Sequence, residues 1–223
     1  MKNYLLNHLK KVLCLSVFMT CTLAGAGSYE DFFKAIKLDD AAGISRLLAR
    51  GFDPNTLDAT GQHGLTLALK ESSFNVAQAL VGAPKINLDH LNTSGESPLM
   101  LAALKGEARL AETMVLQGAD VNKTGWTPLH YAASNGHVAI IKLLLENHAY
   151  IDAESPNGTT PLMMASLYGS VEAVKLLIEE GADASLKNEK GLTALEFAKS
   201  GNRLDAAGVL EKVTRSVRPT GTW

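Results

Sequence analysis

The chain has 223 residues, 46% of them hydrophobic, with 21 basic and 23 acidic side chains and a formal charge of −2. Such a balance gives no long-range attraction for phosphate, so neither nucleic acid nor an anionic membrane is an expected partner. Only two cysteines are present, Cys14 and Cys21, both close to the N-terminus, which excludes a disulfide framework and thiolate chemistry for the rest of the chain.

In chain order, the first element has the pattern of a signal peptide. A positively charged stretch (Lys2, His8, Lys10, Lys11) leads into the apolar run Val12 to Ala24, and Ala24-Gly25-Ala26 supplies a small-x-small cleavage pattern. Cleavage is expected after Ala26. A membrane anchor fits less well, because a span needs about 20 apolar residues and this run has 13. A lipid-bearing Cys21 fits poorly too, since Phe18-Met19-Thr20 stands where small residues are expected. Removal of residues 1–26 leaves 18 basic and 23 acidic side chains, a formal charge of −5, and no cysteine.

Beyond the leader, one unit recurs at a nearly fixed period. Gly61-Gln62-His63-Gly64-Leu65, Gly95-Glu96-Ser97-Pro98-Leu99, Gly125-Trp126-Thr127-Pro128-Leu129, Gly158-Thr159-Thr160-Pro161-Leu162 and Gly191-Leu192-Thr193-Ala194-Leu195 align, their leucines 34, 30, 33 and 33 residues apart. A short helix-forming segment follows each block, then a break (Gly106, Gly136, Gly169), then a second helix such as Val138 to Leu145 or Val171 to Ile178. The second helices are apolar at i, i+3, i+4 and i+7 and must bury that stripe. Glycine-led turns at Gly51, Gly118 and Gly181 close three of the units, glycine supplying the left-handed cap.

Proline in the first helical turn wastes no N–H, the threonine before it can cap the helix, and the leucine after it points inward. His63-Gly64 replaces Thr-Pro in one unit, where glycine costs up to about 1 kcal/mol in helix propensity, so that unit is expected to be soft. His148 stands where the sibling exit turns carry glycine, at a cost of about 1 kcal/mol for a left-handed conformation.

The sequence from Gly125 to Ala133, with Asn135-Gly136-His137, closely resembles the ankyrin-repeat consensus, and the resemblance extends over about Ser28 to Val213. It implies an all-α solenoid of helix-turn-helix units with short projecting β-turn fingers, about six repeats including caps. One domain is expected over 27–213, with repeats at 28–57, 58–91, 92–122, 123–154, 155–187 and 188–213, and a flexible tail at 214–223.

No constellation of catalytic residues stands out. Among the histidines after the leader, no two lie at i, i+4 on one helix, so their spacing suits no zinc site. By the resemblance, His130 and His137 hydrogen-bond neighbouring turns, whereas His63, His90 and His148 are expected at the surface. Gly-x-Ser-x-Gly and the phosphate-cradling glycine loop are missing. The pairs Asp39-Asp40 and Glu179-Glu180 are expected as solvated surface. No cofactor, metal or enzymatic activity is expected.

What remains is surface. Ankyrin repeats bind partners through a concave face lined by the first helices and through the finger tips. Position by position, this implies display of Gln62, Lys70 and Glu71, of Glu96, Leu104 and Lys105, of Trp126, Ser134 and Asn135, and of Thr159, Leu167 and Tyr168. Leu104, Trp126, Leu167 and Tyr168 are large apolar groups where solubility favours polar ones, which suggests a binding hot spot; the alternative is that each seals its own repeat.

The 30-residue interval has a further consequence. Six or eight residues separate each exit turn from the next glycine elsewhere, but only three separate Asn122 from Gly125. Helices cannot lose three residues without rotating their apolar stripes, so the finger must be shortened to Lys123-Thr124. A notch is expected there, floored by a Trp126 more exposed than its counterpart Thr159 and flanked by Leu104, Lys105, Asn135 and Tyr168.

The functional expectation is a monomeric, non-catalytic scaffold, periplasmic or secreted, that binds a protein partner and, once cleaved, no membrane. Alternatives are an inhibitor or immunity protein for a toxic enzyme, an accessory factor in catalase-linked oxidative-stress protection, and a secreted effector acting on host proteins.

Overall fold

The computed structural model describes residues 27–217, so the expected signal peptide lies outside the described residues. The chain divides into two compact units, Met1–Ile86 and Asn87–Trp223. Among the described residues the regular structure is helical, apart from an isolated bridge between Leu57 and His63.

The first unit holds α1 (27–37), α2 (Ala41–Ala49), α3 (Gly64–Lys70) and α4 (Phe74–Val81). Helix α4 packs against both α2 and α3. The expected solvation of Asp39-Asp40 is corrected, because both carboxylates cap helices. Asp39, at φ 52°, accepts from Asn75 Nδ2 (2.7 Å) and Val76 N (2.9 Å) at the start of α4. Asp40 accepts from Gly43 N (2.8 Å) at the start of α2. Orphan N–H groups at a helix start make such carboxylates structural.

His63 is likewise corrected from surface to core: it is buried at the N-cap position of α3, with Nε2 3.1 Å from Asn55 Oδ1. Its side chain makes no cap bond, as expected of this unit. Gly64 has a reason beyond helix propensity. A Cβ at this position would stand 2.6 Å from the Phe32 ring, so glycine lets α1 lie against α3. Gly64→Ala should therefore destabilise the protein by about 1–3 kcal/mol through overpacking, although propensity alone favours alanine. A denaturant midpoint that rises in this variant would show that propensity outweighs the contact.

The second unit is a double row. Helices α5 (Pro98–Lys105), α7 (Pro128–Ser134), α9 (Pro161–Leu167) and α11 (Ala194–Ser200) pack neighbour to neighbour. Helices α6 (Ala108–Leu116), α8 (Val138–Glu146), α10 (Val171–Glu179) and α12 (Leu204–Val217) form the second row, each joined to its own first helix. Leu99, Leu129 and Leu162, the motif leucines of α5, α7 and α9, have no exposed surface.

The first helices start with a reciprocal cap that the motif only half reveals. The residue after each leucine reaches back to the backbone N–H of the capping residue: Met100 Sδ to Ser97 N (3.3 Å), His130 Nδ1 to Thr127 N (3.2 Å), Met163 Sδ to Thr160 N (3.5 Å) and Glu196 Oε2 to Thr193 N (2.9 Å). Sulfur, imidazole and carboxylate serve one purpose there, which is to satisfy an N–H at the helix start, buried in the first three and exposed at Thr193.

The exit turns behave as their glycines imply. Gly51, Gly118 and Gly181 have φ of 85°, 89° and 100°, and His148 adopts φ 65° in the same role despite its side chain. Helix α12 corrects the expected tail boundary, continuing past Val213 to Val217. Thr214 Oγ1 donates to the carbonyl of Leu210 (3.0 Å) and Arg215 pairs with Glu211 (3.7 Å), so helical contacts extend beyond the last repeat. No helix among the described residues is long and apolar enough to cross a membrane.

Candidate functional site

The fingers are built on one residue each. Asp58, Asn92 and Asn188 use their side-chain oxygens to accept from two backbone N–H groups, as in Gln62 N to Asp58 (2.8 Å), Glu96 N to Asn92 (3.0 Å) and Leu192 N to Asn188 (3.0 Å). Ser155 takes the same place in its finger, accepting from Thr159 N (3.0 Å). Backbone bonds close each loop, for example Ser155 N to Thr159 O (3.0 Å) and Gly158 N to Ser155 O (2.8 Å).

Between Asn122 and Thr127 no such backbone bond is found among the described residues. The three-residue deletion removes the pinning side chain together with the turn, and Lys123 Nζ reaches only the adjacent carbonyl of Thr124 (3.4 Å). The short loop expected from the period is present, with Pro156 of the next finger close to Gly125. Trp126 beside it is half-buried, whereas its counterpart Thr159 is 2% exposed.

Beside this loop, Leu104, Trp126, His130, Tyr131, Ser134 and Met164 line a groove of about 210 Å³ on the face formed by α5, α7 and α9. Its walls are predominantly apolar. The Trp126 ring meets His130 edge-on, with centroids 5.2 Å apart and planes at 74°. The Tyr131 hydroxyl donates to Glu96 Oε1 (3.1 Å), and Asn92 Nδ2 donates to Glu96 Oε2 (2.8 Å). Burial, then the nearby Glu96 charge and its hydrogen bond, push the Tyr131 phenol up to about 12.

His130 holds the groove from behind. It is fully buried, its Nε2 lies 2.9 Å from the carbonyl of Thr159, and its Nδ1 lies 2.9 Å from Thr127 Oγ1. The bond to a carbonyl requires the proton on Nε2, so Nδ1 accepts from Thr127. Burial lowers the imidazole pKa to about 4, against the raising effect of the Thr159 and Ala153 backbone bonds. His137 Nε2 lies 3.2 Å from the Leu104 carbonyl, and so ties α5 to the start of α8. Both histidines bridge repeats as the resemblance implies.

The expected surface residues separate into three groups. Trp126, Leu104 and Ser134 meet in the groove, and Glu96 is bonded to its lining residue Tyr131. Lys105, Asn135 and Tyr168 are exposed at the C-terminal ends of α5, α7 and α9 and do not line it, Tyr168 being 62% exposed. Thr159 is corrected. The backbone of Thr159 is tied to Ser155 and His130 and the residue is buried, whereas Leu167 is half-buried beside Gly201 of the next repeat. In the first unit Lys70 and Glu71 are exposed, and Lys70 Nζ donates to Gln62 Oε1 (3.1 Å).

Tyr131 and Met164 are groove residues that the positional argument missed. They follow the motif leucine by two positions, in the series Leu67, Leu101, Tyr131, Met164 and Phe197. The persistent bulk of that series was the available signal.

The family model described as Ankyrin repeats (3 copies) matches residues 32–124, 73–155, 99–188 and 147–214. The chain is 32% identical over 93 residues to protein phosphatase 1 regulatory subunit 27 of Mus musculus, covering 40% of this chain and 60% of the relative. It is 30% identical over 121 residues to palmitoyltransferase AKR1 of Lachancea kluyveri, covering 52% of this chain and 16% of the relative. The chain thus spans less than two thirds of the length of these relatives.

Two solved structures share the fold. One is a chain from the structure titled Bd0816 predatory endopeptidase from Bdellovibrio bacteriovorus in complex with immunity protein Bd3460, with TM-score 0.70 and 29% identity, covering 82% of this chain and 97% of that one. The other is EF0377, an ankyrin repeat protein, with TM-score 0.69 and 27% identity, covering 82% and 96%. Ankyrin repeats are protein-interaction modules, and such a scaffold is what the double row of helices presents. With matched segments running from residue 32 to residue 214, the chain belongs to the ankyrin-repeat family.

Proposed function

We propose that this chain is a non-catalytic, monomeric scaffold acting outside the cytoplasm, periplasmic or secreted, which captures a protein partner on the first-helix face and fingers of its second unit. The observation that carries this reading is the groove beside the missing finger: half-buried Leu104, Trp126, Tyr131 and Met164 face open space where a solenoid needs no apolar surface. Aromatic side chains in such positions supply much of the binding energy of protein interfaces.

Export rests on the leader, Val12 to Ala24 followed by Ala24-Gly25-Ala26. N-terminal sequencing of the exported protein should begin at or near Gly27, and a chain that retains Lys2 would contradict it. Partner capture is tested by passing extracellular or periplasmic extract over immobilised wild-type protein and Trp126→Ala in parallel. A partner retained by the wild type and lost from the folded variant is expected. Identical captures on both would remove the groove from the account.

A second reading, inhibition of a toxic enzyme, is favoured by the likeness to a chain from a complex whose title names an endopeptidase and an immunity protein. It predicts that the captured partner is an enzyme whose turnover falls when this chain is added.

A further inference from the structure

The groove has a chemical character beyond being apolar. One of its lining residues holds a carboxylate: Glu96 accepts from the hydroxyl of Tyr131, and Tyr131 and Trp126 line the same cavity. Each Glu96 oxygen has one protein donor, Tyr131 on Oε1 and Asn92 on Oε2. A carboxylate has about four lone-pair sites, so the bonds that fix its orientation leave both oxygens able to accept again. No cation is paired with Glu96 among the described residues. The surrounding unit, Asn87–Trp223, is acidic: residues 87–217 carry 16 acidic and 11 basic side chains, a formal charge of −5.

We infer that this groove receives an arginine side chain from the partner protein, its guanidinium bridging the two oxygens of Glu96 and its methylene stem lying along Leu104, Trp126 and Met164. The inference rests on the reading of the groove as the partner site, and it states what that site selects. Three properties favour arginine. Its planar fork can address both carboxylate oxygens at once, its face stacks on aromatic rings, and its stem is apolar. A leucine or phenylalanine would cover the same walls but leave the remaining acceptor sites of Glu96 desolvated and unused, which costs binding energy. Lysine offers a point charge and loses the forked geometry.

The test uses the full exported chain and random twelve-residue peptides displayed on phage. Binders selected on the wild type are counter-screened on Trp126→Ala, and those lost on the variant are sequenced. Enrichment of arginine at one position is expected. For a synthetic peptide of that sequence, arginine to leucine in the peptide, and separately Glu96→Gln in the protein, should each weaken Kd by about tenfold. Arginine to lysine should weaken it several-fold. Glu96→Gln retains an oxygen acceptor for Tyr131, and an unchanged melting curve would confirm that the variant is folded. If Trp126-dependent binders carry a large apolar residue at that position, or bind Glu96→Gln as well as the wild type, the arginine inference is overturned while the groove stands as a partner site. If every binder retains full affinity for Trp126→Ala, the groove reading fails as well.

Discussion

Leu129→Ala should lower the unfolding free energy by about 2–5 kcal/mol, because it removes a fully buried side chain and leaves a cavity that helices on either side cannot close. Leu129 lies in α7, which packs against both α5 and α9, so the damage reaches two repeat interfaces at once. In a solenoid, stability is a sum of repeat and nearest-neighbour terms, and weakening a middle repeat uncouples the segments on either side. A single denaturant transition should therefore broaden or split. Lys142→Ala on the exposed face of α8 should stay within about 0.5 kcal/mol of the wild type. An unchanged melting curve for Leu129→Ala would place that leucine outside the core.

Acid should act on the same repeat through His130. The imidazole is neutral in the fold with a pKa lowered to about 4 from 6.5, chiefly by burial. Because the folded pKa is depressed, the folded state binds fewer protons than the unfolded chain between those values. The stability contribution is fully present above about pH 6.5 and is lost as pH falls through about 4. The loss from this one group amounts to about 3 kcal/mol. Protonation also removes Nδ1 as acceptor for Thr127, so the start of α7 and the Trp126 side of the groove should loosen first. A titration of the His130 ring by NMR should give a midpoint near 4. A midpoint near 6.5 would mean that the ring is solvated and that the groove does not depend on it.

The architecture was legible in the sequence because a solenoid repeats its own evidence. Each Thr-Pro-Leu block, second-helix stripe and exit glycine constrains the same geometry, and the shortened interval before Leu129 located the loop that lacks a finger turn. What was not legible depended on contacts between residues far apart in the chain. Gly64 looked like a defect until Phe32 was found against it, and Asp39 looked solvated although it caps a helix some 36 residues later. Thr159 was misplaced because a repeat position predicts a side of the repeat but not whether the neighbouring repeat covers it. Tyr131 and Met164 were missed because the positional argument considered only the ends of the first helices, although the same position is half-buried in four of the five units, at Leu67, Tyr131, Met164 and Phe197.

The central claim is that this open groove binds a protein, and affinity measured directly on it is the sharpest test. With the captured partner purified, calorimetric titration should be run on the wild type, on Trp126→Ala and on a variant with three residues restored after Lys123, all shown to be folded. The account predicts a weakening of about thirtyfold or more for Trp126→Ala, as for the loss of a central aromatic anchor, and a comparable loss when the finger is restored. Unchanged affinity in both variants would contradict it.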